Sequence, residues 1–388
     1  MAVTIVGGGP CGLGVAMYLQ QFCPTARVTI LEKCAAGESA SPLAVRCATQ
    51  LVSQNVSESA SSGWFHAMES AGRISEESDE QLSQTEERPH GWSRLTGQWR
   101  HYRCPDRAAF FAAMRESAIT EEGVHLYCHE VDSVSLCGDR LAVEMVTSVD
   151  QSVSGKVLLC SVLVLAVPAH EALRITSTLP LPFTEQEVLR RIAQTSAQDN
   201  TRFCTTVRLI SASPVGQALA AKFQGTRELN VSNVHGGITL LSLDVNSDLD
   251  EMIVHVHART SGALCRKEFT LWVTTWLSDT FDENDVAIAT PRAFPQARPS
   301  IAPLNPLRER GCILVPIGQP AASRSGTGNM TDCCRGPPLL VLCGDWALAE
   351  SAGTVSGALL SAYKGAREVA QHLIHRSTSR GSSQNGTT

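Results

Sequence analysis

The apolar positions of this chain fall into three kinds of run. The first is short and mostly apolar throughout. Ala2 to Val6 (AVTIV), Arg27 to Leu31 (RVTIL), Val124 to Cys128 (VHLYC), Ser161 to Val167 (SVLVLAV) and Leu339 to Cys343 (LLVLC) belong to it. Such runs predict buried strands, and near-continuous apolar ones suit a sheet covered on both faces. The second kind repeats at helical spacing. Leu13, Ala16, Leu19 and Gln20 form one stripe, and Ala109, Phe110, Ala113, Met114 and Ala118 a second, behind Pro105 and a capping Asp106. Val188, Leu189, Ile192 and Ala193 mark a third within 184–197. Val355, Leu359, Ala362, Ala366, Val369 and Leu373 mark the longest. The third kind is longer and half polar. Phe203 to Ile210, Ile238 to Val245 and Glu251 to Ala258 read as long strands, the last two able to pair around Asn246 to Asp250.

Shorter signals fill the gaps. Leu141 to Val146 and Lys156 to Cys160 read as hairpin strands, and Val131 to Val134 as a continuation of the edge begun at Val124. A helix is expected within 55–72, with Trp64, Phe65, Met68 and Ala71 on one side, and another over 263–277. Val286 to Arg292 and Cys312 to Ile317 read as further strands. The acidic stretch Ser75 to Arg88 is expected as an exposed loop or irregular helix, and Trp92 to Tyr102 as a hairpin at a domain edge. Ala321 to Pro338, rich in Gly, Ser, Arg and Thr, is expected as a flexible insertion. The polar tail from His375 to Thr388 is expected without fixed structure.

Composition narrows the function classes. The 388 residues suffice for two domains, with 18% charged residues and a formal net charge of −6. No basic run suggests nucleic acid, and Arg100, Arg103 and Arg107 are the densest basic cluster. No stretch reaches the length of a membrane span and no secretory leader precedes the first strand, so a cytoplasmic protein is expected. The 14 cysteines are scattered, and no C-x-x-C occurs. His255 and His257 share a strand face by period two, yet no third ligand accompanies them, so no metal site is expected.

The chemistry concentrates at the start. The first strand opens directly into Gly7-Gly8-Gly9-Pro10-Cys11-Gly12, which supplies G-x-G-x-x-G at Gly7, Gly9 and Gly12. A helix and a second strand follow, and that strand ends on Glu32, twenty residues past Gly12. Strand, tight turn, helix, strand and acid is the order of a dinucleotide-binding unit. Gly7 permits the turn, Gly9 admits a pyrophosphate to the backbone, and Gly12 lets the helix pack closely. The phosphates would meet N–H groups at the helix start, and Glu32 would accept from a ribose hydroxyl. At the other end Leu339 to Cys343 closes on Gly344-Asp345, and Gly353 leads the last helix. A carboxylate ending a buried strand needs a partner, and a cofactor hydroxyl would serve Asp345.

Taken together, the two ends resemble the paired FAD-binding motifs of the flavin amine oxidase superfamily, and the order of the middle elements is similar to that of its renalase-like members. The resemblance implies an α/β fold: a Rossmann-like FAD-binding domain with a second, mixed-sheet α+β substrate domain. The FAD-binding part would take residues 1–60, 101–170 and 339–374, and the substrate domain 171–320 with an excursion at 61–100. It implies Glu32 at the adenosine ribose, the Val131 backbone at the adenine, and Gly344 and Asp345 near the ribityl and pyrophosphate groups. Gly353, Thr354 and Val355 would sit beside the flavin ring. Where the family carries Gly-Gly-Arg after the acid, this chain has Gly37-Glu38-Ser39, and Arg46 is the nearest arginine to serve the phosphate.

On the substrate side the resemblance implies His257, in Val254-His255-Val256-His257-Ala258, and Phe294, which stands where renalase-like chains have tryptophan. The implied enzyme is an FAD-dependent oxidase. A reduced, isomeric nicotinamide dinucleotide (an NAD-type substrate) would give hydride to FAD, and molecular oxygen would take the electrons onward. Two alternatives stand beside it: an amine or polyamine oxidase, and a flavoprotein-like interaction protein without turnover.

Overall fold

In the computed structural model the shortest, most apolar runs lie side by side. The structure describes residues 2–33, 51–55, 68–76, 99–103, 107–119, 123–146, 156–199, 202–210, 212–214, 217, 228–229, 238–248, 251–260, 271, 286–288, 292–294, 311–317, 337–347 and 355–382. In chain order the strands are β1 (Ala2–Val6), β2 (Arg27–Glu32), β3 (Leu51–Asn55), β4 (Ser75–Glu76), β5 (Trp99–Arg103), β6 (Val124–Cys128), β7 (Val131–Cys137), β8 (Arg140–Met145) and β9 (Val157–Cys160). They continue with β10 (Val162–Leu165), β11 (Arg202–Ile210), β12 (Glu228–Leu229), β13 (Ile238–Asp248), β14 (Glu251–Thr260), β15 (Val286–Ile288), β16 (Arg292–Phe294), β17 (Ile313–Pro316) and β18 (Leu339–Leu342). The helices are α1 (Pro10–Phe22), α2 (Arg107–Ile119), α3 (Ala169–Ile175), α4 (Phe183–Asp199) and α5 (Val355–Ser382).

The first sheet has six strands in the order β17-β18-β10-β1-β2-β6. Five are parallel, and β17 joins antiparallel at the edge. Counting only the parallel strands, the order runs outward from β1 in both directions. The chain therefore reverses its direction of travel across the sheet between β1 and β10, and ligands of open α/β sheets bind in the crevice at such a point.

Side-chain alternation explains why these runs are apolar throughout. Val3, Ile5, Val28, Ile30, Val162, Val164, Leu339 and Val341 face one core, which α1, α2 and α5 complete. Val6, Leu31, Leu163, Leu165, Leu340 and Leu342 face a second core on the opposite side. Each fully buried Val or Leu contributes about 1.5–3 kcal/mol relative to exposure. The second core is closed by the antiparallel sheet β7-β8-β9 and by α3 and α4, through Val134, Leu141, Val143, Ile175 and Leu189. Thus β7, expected to extend the edge begun at Val124, instead belongs to a separate three-stranded sheet. Its buried Val131 and Val134 require cover that an edge position would not supply.

Helices α1 and α5 meet closely at Gly14. A Cβ there would lie 2.9 Å from the Ala362 methyl and 3.2 Å from Leu359 Cδ2. Tyr363 fills the neighbouring space, edge to face with Tyr18 and with Phe22 at centroid distances of 5.5 Å each. Anchored by Val369, Ala370 and Leu373, α5 continues through Ser382, past His375, where the tail was expected to lose structure. Once nucleated and held, a helix extends at little cost per residue.

The middle strands form an antiparallel sheet, β12-β13-β14-β11-β15, with β16 also pairing β11. The hairpin expected around 246–250 is present as β13 and β14. Strand β5 pairs with β3 and β4. Residues 77–98 lie outside the described residues, as do the expected insertion through 336, positions 56–67 of the helix expected within 55–72, and all but residue 271 of the helix expected over 263–277. Among the described residues no helix is long and apolar enough to cross a membrane.

Candidate functional site

The turn after β1 is built by exclusion. Gly7 adopts φ 101° and its N–H donates to the Leu31 carbonyl at 2.8 Å. A Cβ at Gly7 would run into the Ala166 carbonyl oxygen and lie 3.1 Å from Val167 Cγ1. A Cβ at Gly12 would overlap the Gly7 carbonyl oxygen, so the first turn of α1 sits directly on the loop that precedes it. Gly9 differs from both. It caps α1, its carbonyl accepts from Leu13 N–H at 3.0 Å, and a Cβ there would meet nothing within 4 Å. Among the described residues the space beside Gly9 is therefore open at the start of α1, where helix N–H groups and the dipole favour an anion.

Gly8 was not singled out by the motif, yet it holds the acid. Its N–H donates to Glu32 Oε2 at 2.5 Å. A Cβ at Gly8 would stand 3.0 Å from that oxygen and 3.1 Å from Glu32 Cβ. The end of β2 is further fixed by His129 N–H, which donates to the Glu32 carbonyl at 2.9 Å.

Beside it runs a charged clasp. Arg174 of α3 donates to the Val131 carbonyl at 3.0 Å, to the Asp132 carbonyl at 2.9 Å and to Glu171 at 3.1 Å. Lys33 reaches Glu171 at 3.5 Å. Partial burial works to raise the Glu171 carboxyl, but the Arg174 hydrogen bond with the charges of Lys33, Arg174 and His170 outweighs it and holds the group below the ordinary range. Val131 thus lies beside the Glu32 end, with its side chain in the core and its carbonyl accepting from Arg174.

The third component is the turn after β18. Cys343 N–H donates to the Leu165 carbonyl at 3.0 Å, which continues the β10–β18 ladder. Gly344 N–H then donates to the Ser361 hydroxyl at 3.0 Å, and that hydroxyl donates to the Gly311 carbonyl at 2.6 Å. Trp346 folds back under Gly344 and donates its indole N–H to the Val167 carbonyl at 3.0 Å. A Cβ at Gly344 would strike that indole. Asp345, between them, is half-buried. Gly7, Gly12, Glu32, Gly344 and Asp345 therefore gather at the carboxyl ends of β1, β2 and β18, with Gly9 at the head of α1.

Buried thiols surround this framework without entering it. Cys11 of α1 lies with Cys312 and Cys343 in the core that α1 covers. Hydrogen bonding with Cys11 and burial push the Cys343 thiol well up, and Cys11 and Cys312 add to the effect. Burial raises Cys160 to about 11, against a smaller opposing bond with Thr4. Such thiols are poor nucleophiles. Among the described residues no group of three or more His, Cys, Asp or Glu is placed to hold a metal ion.

The remaining sequence-derived residues divide. Val355 is the first residue of α5. Arg46, Gly353 and Thr354 lie outside the described residues. His257 on β14 pairs with Cys204 of β11 and with Ser242 of β13, and Phe294 on β16 pairs with Arg202. Since Arg202 and Cys204 are two apart on β11, His257 and Phe294 occupy register positions on the same face of the middle sheet.

Gly8, Arg174 and Ser361 escaped the sequence reading, whereas Trp346 was visible beside Phe294 as one of the few aromatics near the site segments. Gly8 was visible as the extra glycine of the motif. Ser361 was visible in the small series Ala358, Ser361 and Gly365, spaced for close helix packing. Nothing local marked Arg174.

No family model matches this chain, and no curated protein matches it either. Solved structures do. A candidate protoporphyrinogen oxidase from Exiguobacterium sp. 255-15 superposes over 96% of this chain and 99% of its own, with TM-score 0.52 and 10% identity. A flavoprotein/dehydrogenase from Cytophaga hutchinsonii superposes over 97% of this chain and 79% of its own, with TM-score 0.53 and 13% identity. The chain shares the fold of these solved structures, a mixed α/β architecture with a Rossmann-like sheet and a separate antiparallel sheet in place of the mixed one expected. The likeness is to that fold in general and does not single out the renalase or amine-oxidase branch.

Proposed function

We propose that this chain binds FAD and works as a flavin-dependent oxidoreductase. The observation that carries the reading is the construction of the first turn. Gly7 and Gly12 close it, Gly9 leaves open space at the head of α1, and Gly8 holds Glu32 at its rim. These residues fit an FAD: α1 would face the pyrophosphate, Glu32 the adenosine ribose, and the Gly344–Asp345 turn the sugar-phosphate chain. Bound FAD would supply a two-electron acceptor, and the chain's own groups would orient it and keep water from it.

The finer reading rests on the renalase-like resemblance of the sequence. The substrate would be a reduced, isomeric nicotinamide dinucleotide, oxygen would take the electrons onward, and the middle sheet, with His257 and Phe294, would supply the substrate side. Two measurements test this. Purified protein is expected to show the visible absorbance of bound flavin, or to gain it when incubated with FAD. Protein that stays colourless and monodisperse would favour the non-catalytic interaction reading. Anaerobic mixing with NADH, its isomers or a polyamine then separates substrates. Rapid bleaching by an isomer supports the reading, and bleaching by the polyamine alone overturns it in favour of an amine oxidase.

A further inference from the structure

We infer that Ser361 is a positioning residue for the cofactor, an inference that rests on the flavin reading above. Its hydroxyl, on α5, bridges Gly311 just ahead of β17 and Gly344 just after β18. Ser361 is fully buried at 0% exposure. It accepts from Gly344 N–H at 3.0 Å and donates to the Gly311 carbonyl at 2.6 Å. Both partners are backbone groups at points of restricted geometry. Gly311 holds φ 67°, and Gly344 has no room for a side chain because the Trp346 indole lies against it. A single hydroxyl therefore satisfies one buried donor and one buried acceptor, and neither glycine has a side chain through which packing could fix it instead.

The consequence reaches both ends of the site. Ser361 lies six residues beyond Val355, the first residue of α5, so about 9 Å separates them along the helix axis. Fastening Ser361 to Gly344 sets the position of α5 along its own axis against the end of β18. The head of α5 and the Gly344–Asp345 turn are then held at a fixed separation. Trp346 extends the same tie to Val167, whose side chain packs over Gly7. The hydroxyl thus sets the C-terminal half of the site, while the hydrogen bonds that close the glycine turn (Gly7 N–H to the Leu31 carbonyl, Leu13 N–H to the Gly9 carbonyl and Gly8 N–H to Glu32) are made independently of Ser361 and its partners.

That independence gives the test. ADP carries the adenosine and pyrophosphate alone, whereas FAD also carries the ribityl chain and ring. In Ser361→Ala, FAD affinity is expected to fall about tenfold, the scale of a lost buried hydrogen bond, while ADP affinity stays within about twofold. A purely structural serine would lower the melting temperature and leave the ratio of the two affinities unchanged, which would overturn the proposal. Should Ser361→Ala fail to fold, Ser361→Cys keeps the shape with a weak hydrogen-bonding group and carries the same comparison. Wild-type protein that binds neither ligand would overturn the flavin reading and this inference together. Wild-type binding of both, with an unchanged ratio in the variants, would overturn only the role of Ser361.

Discussion

Gly8 and Glu32 are joined by a hydrogen bond of 2.5 Å from a backbone N–H to a carboxylate. The acid that ends the second strand is thereby fixed by the glycine turn that ends the first. A Cβ at Gly8 would press on the Glu32 side chain at 3.0–3.2 Å, so the two positions are coupled sterically as well as through the bond.

A double-mutant cycle reads that coupling. Glu32→Ala is expected to weaken FAD by roughly 1.5–3 kcal/mol, the range for a hydrogen bond to a charged group. Gly8→Ala should weaken it too, by displacing the carboxylate. The double variant should lose less than the sum of the two, because each acts on the same oxygen. Additive losses in a fluorescence titration would break the link.

The glycines of the turn should respond differently to one methyl group. Gly12→Ala drives a Cβ into the Gly7 carbonyl and should destabilise the fold by about 3 kcal/mol, at the upper end of overpacking costs. Gly9→Ala meets open space and should change stability by less than about 0.5 kcal/mol. It should nonetheless weaken dinucleotide binding by filling that space. Thermal melts with paired titrations separate the two effects, and equal destabilisation would contradict the geometry.

Thiol reactivity should split by burial. Exposed Cys128 and Cys137 are expected to react readily with a small alkylating reagent, while Cys11, Cys160, Cys312 and Cys343 resist until the chain unfolds. Cys160 adds a pH dependence. Its thiol ionises near 9.0 ordinarily and near 11 when folded. Between those values the unfolded chain has released the proton and the folded chain has not. Stability is therefore full below about pH 9 and declines as pH rises through 11. Cys160→Ala should flatten the decline in urea melts across that window.

Glu171 should act on the acid side. Its carboxyl is held below the ordinary 4.5, so its contribution is present above that value and is lost as pH falls through the folded-state value. The group is partly exposed, so the effect should stay under about 1 kcal/mol. Glu171→Gln should remove it and loosen Arg174 from Asp132, measured as a shallower acid limb of the stability curve.

What the sequence disclosed depended on distance along the chain. The run into Gly7, the helix behind it and the acid at Glu32 are local, and strand spacing with glycine sterics suffices to read them. The β13–β14 pairing was legible because the two strands are consecutive. The seat of β7 was not, since burial of Val131 and Val134 depends on α3 and on the far face of the sheet. Nor could the partners of Ser361 be read, because Gly311 lies 50 residues away and no periodicity connects them. His257 and Phe294 came together only through the register of β11.

The bond between Trp346 and Val167 spans 179 residues, and it has a meaning in time. A growing chain makes the glycine turn long before the strand and helix that close the site. Until residues 339–373 arrive, α1 lacks the surface of α5 against which Gly14 and Tyr18 pack. The flank of β10 that β18 will occupy is open for the same interval. Long-range pairing of this kind slows folding and leaves apolar surface and a strand edge exposed meanwhile. The half-made molecule is therefore the sticky one. Its yield in a cell should depend more on what shelters that early sheet edge than on how firmly the finished protein holds together.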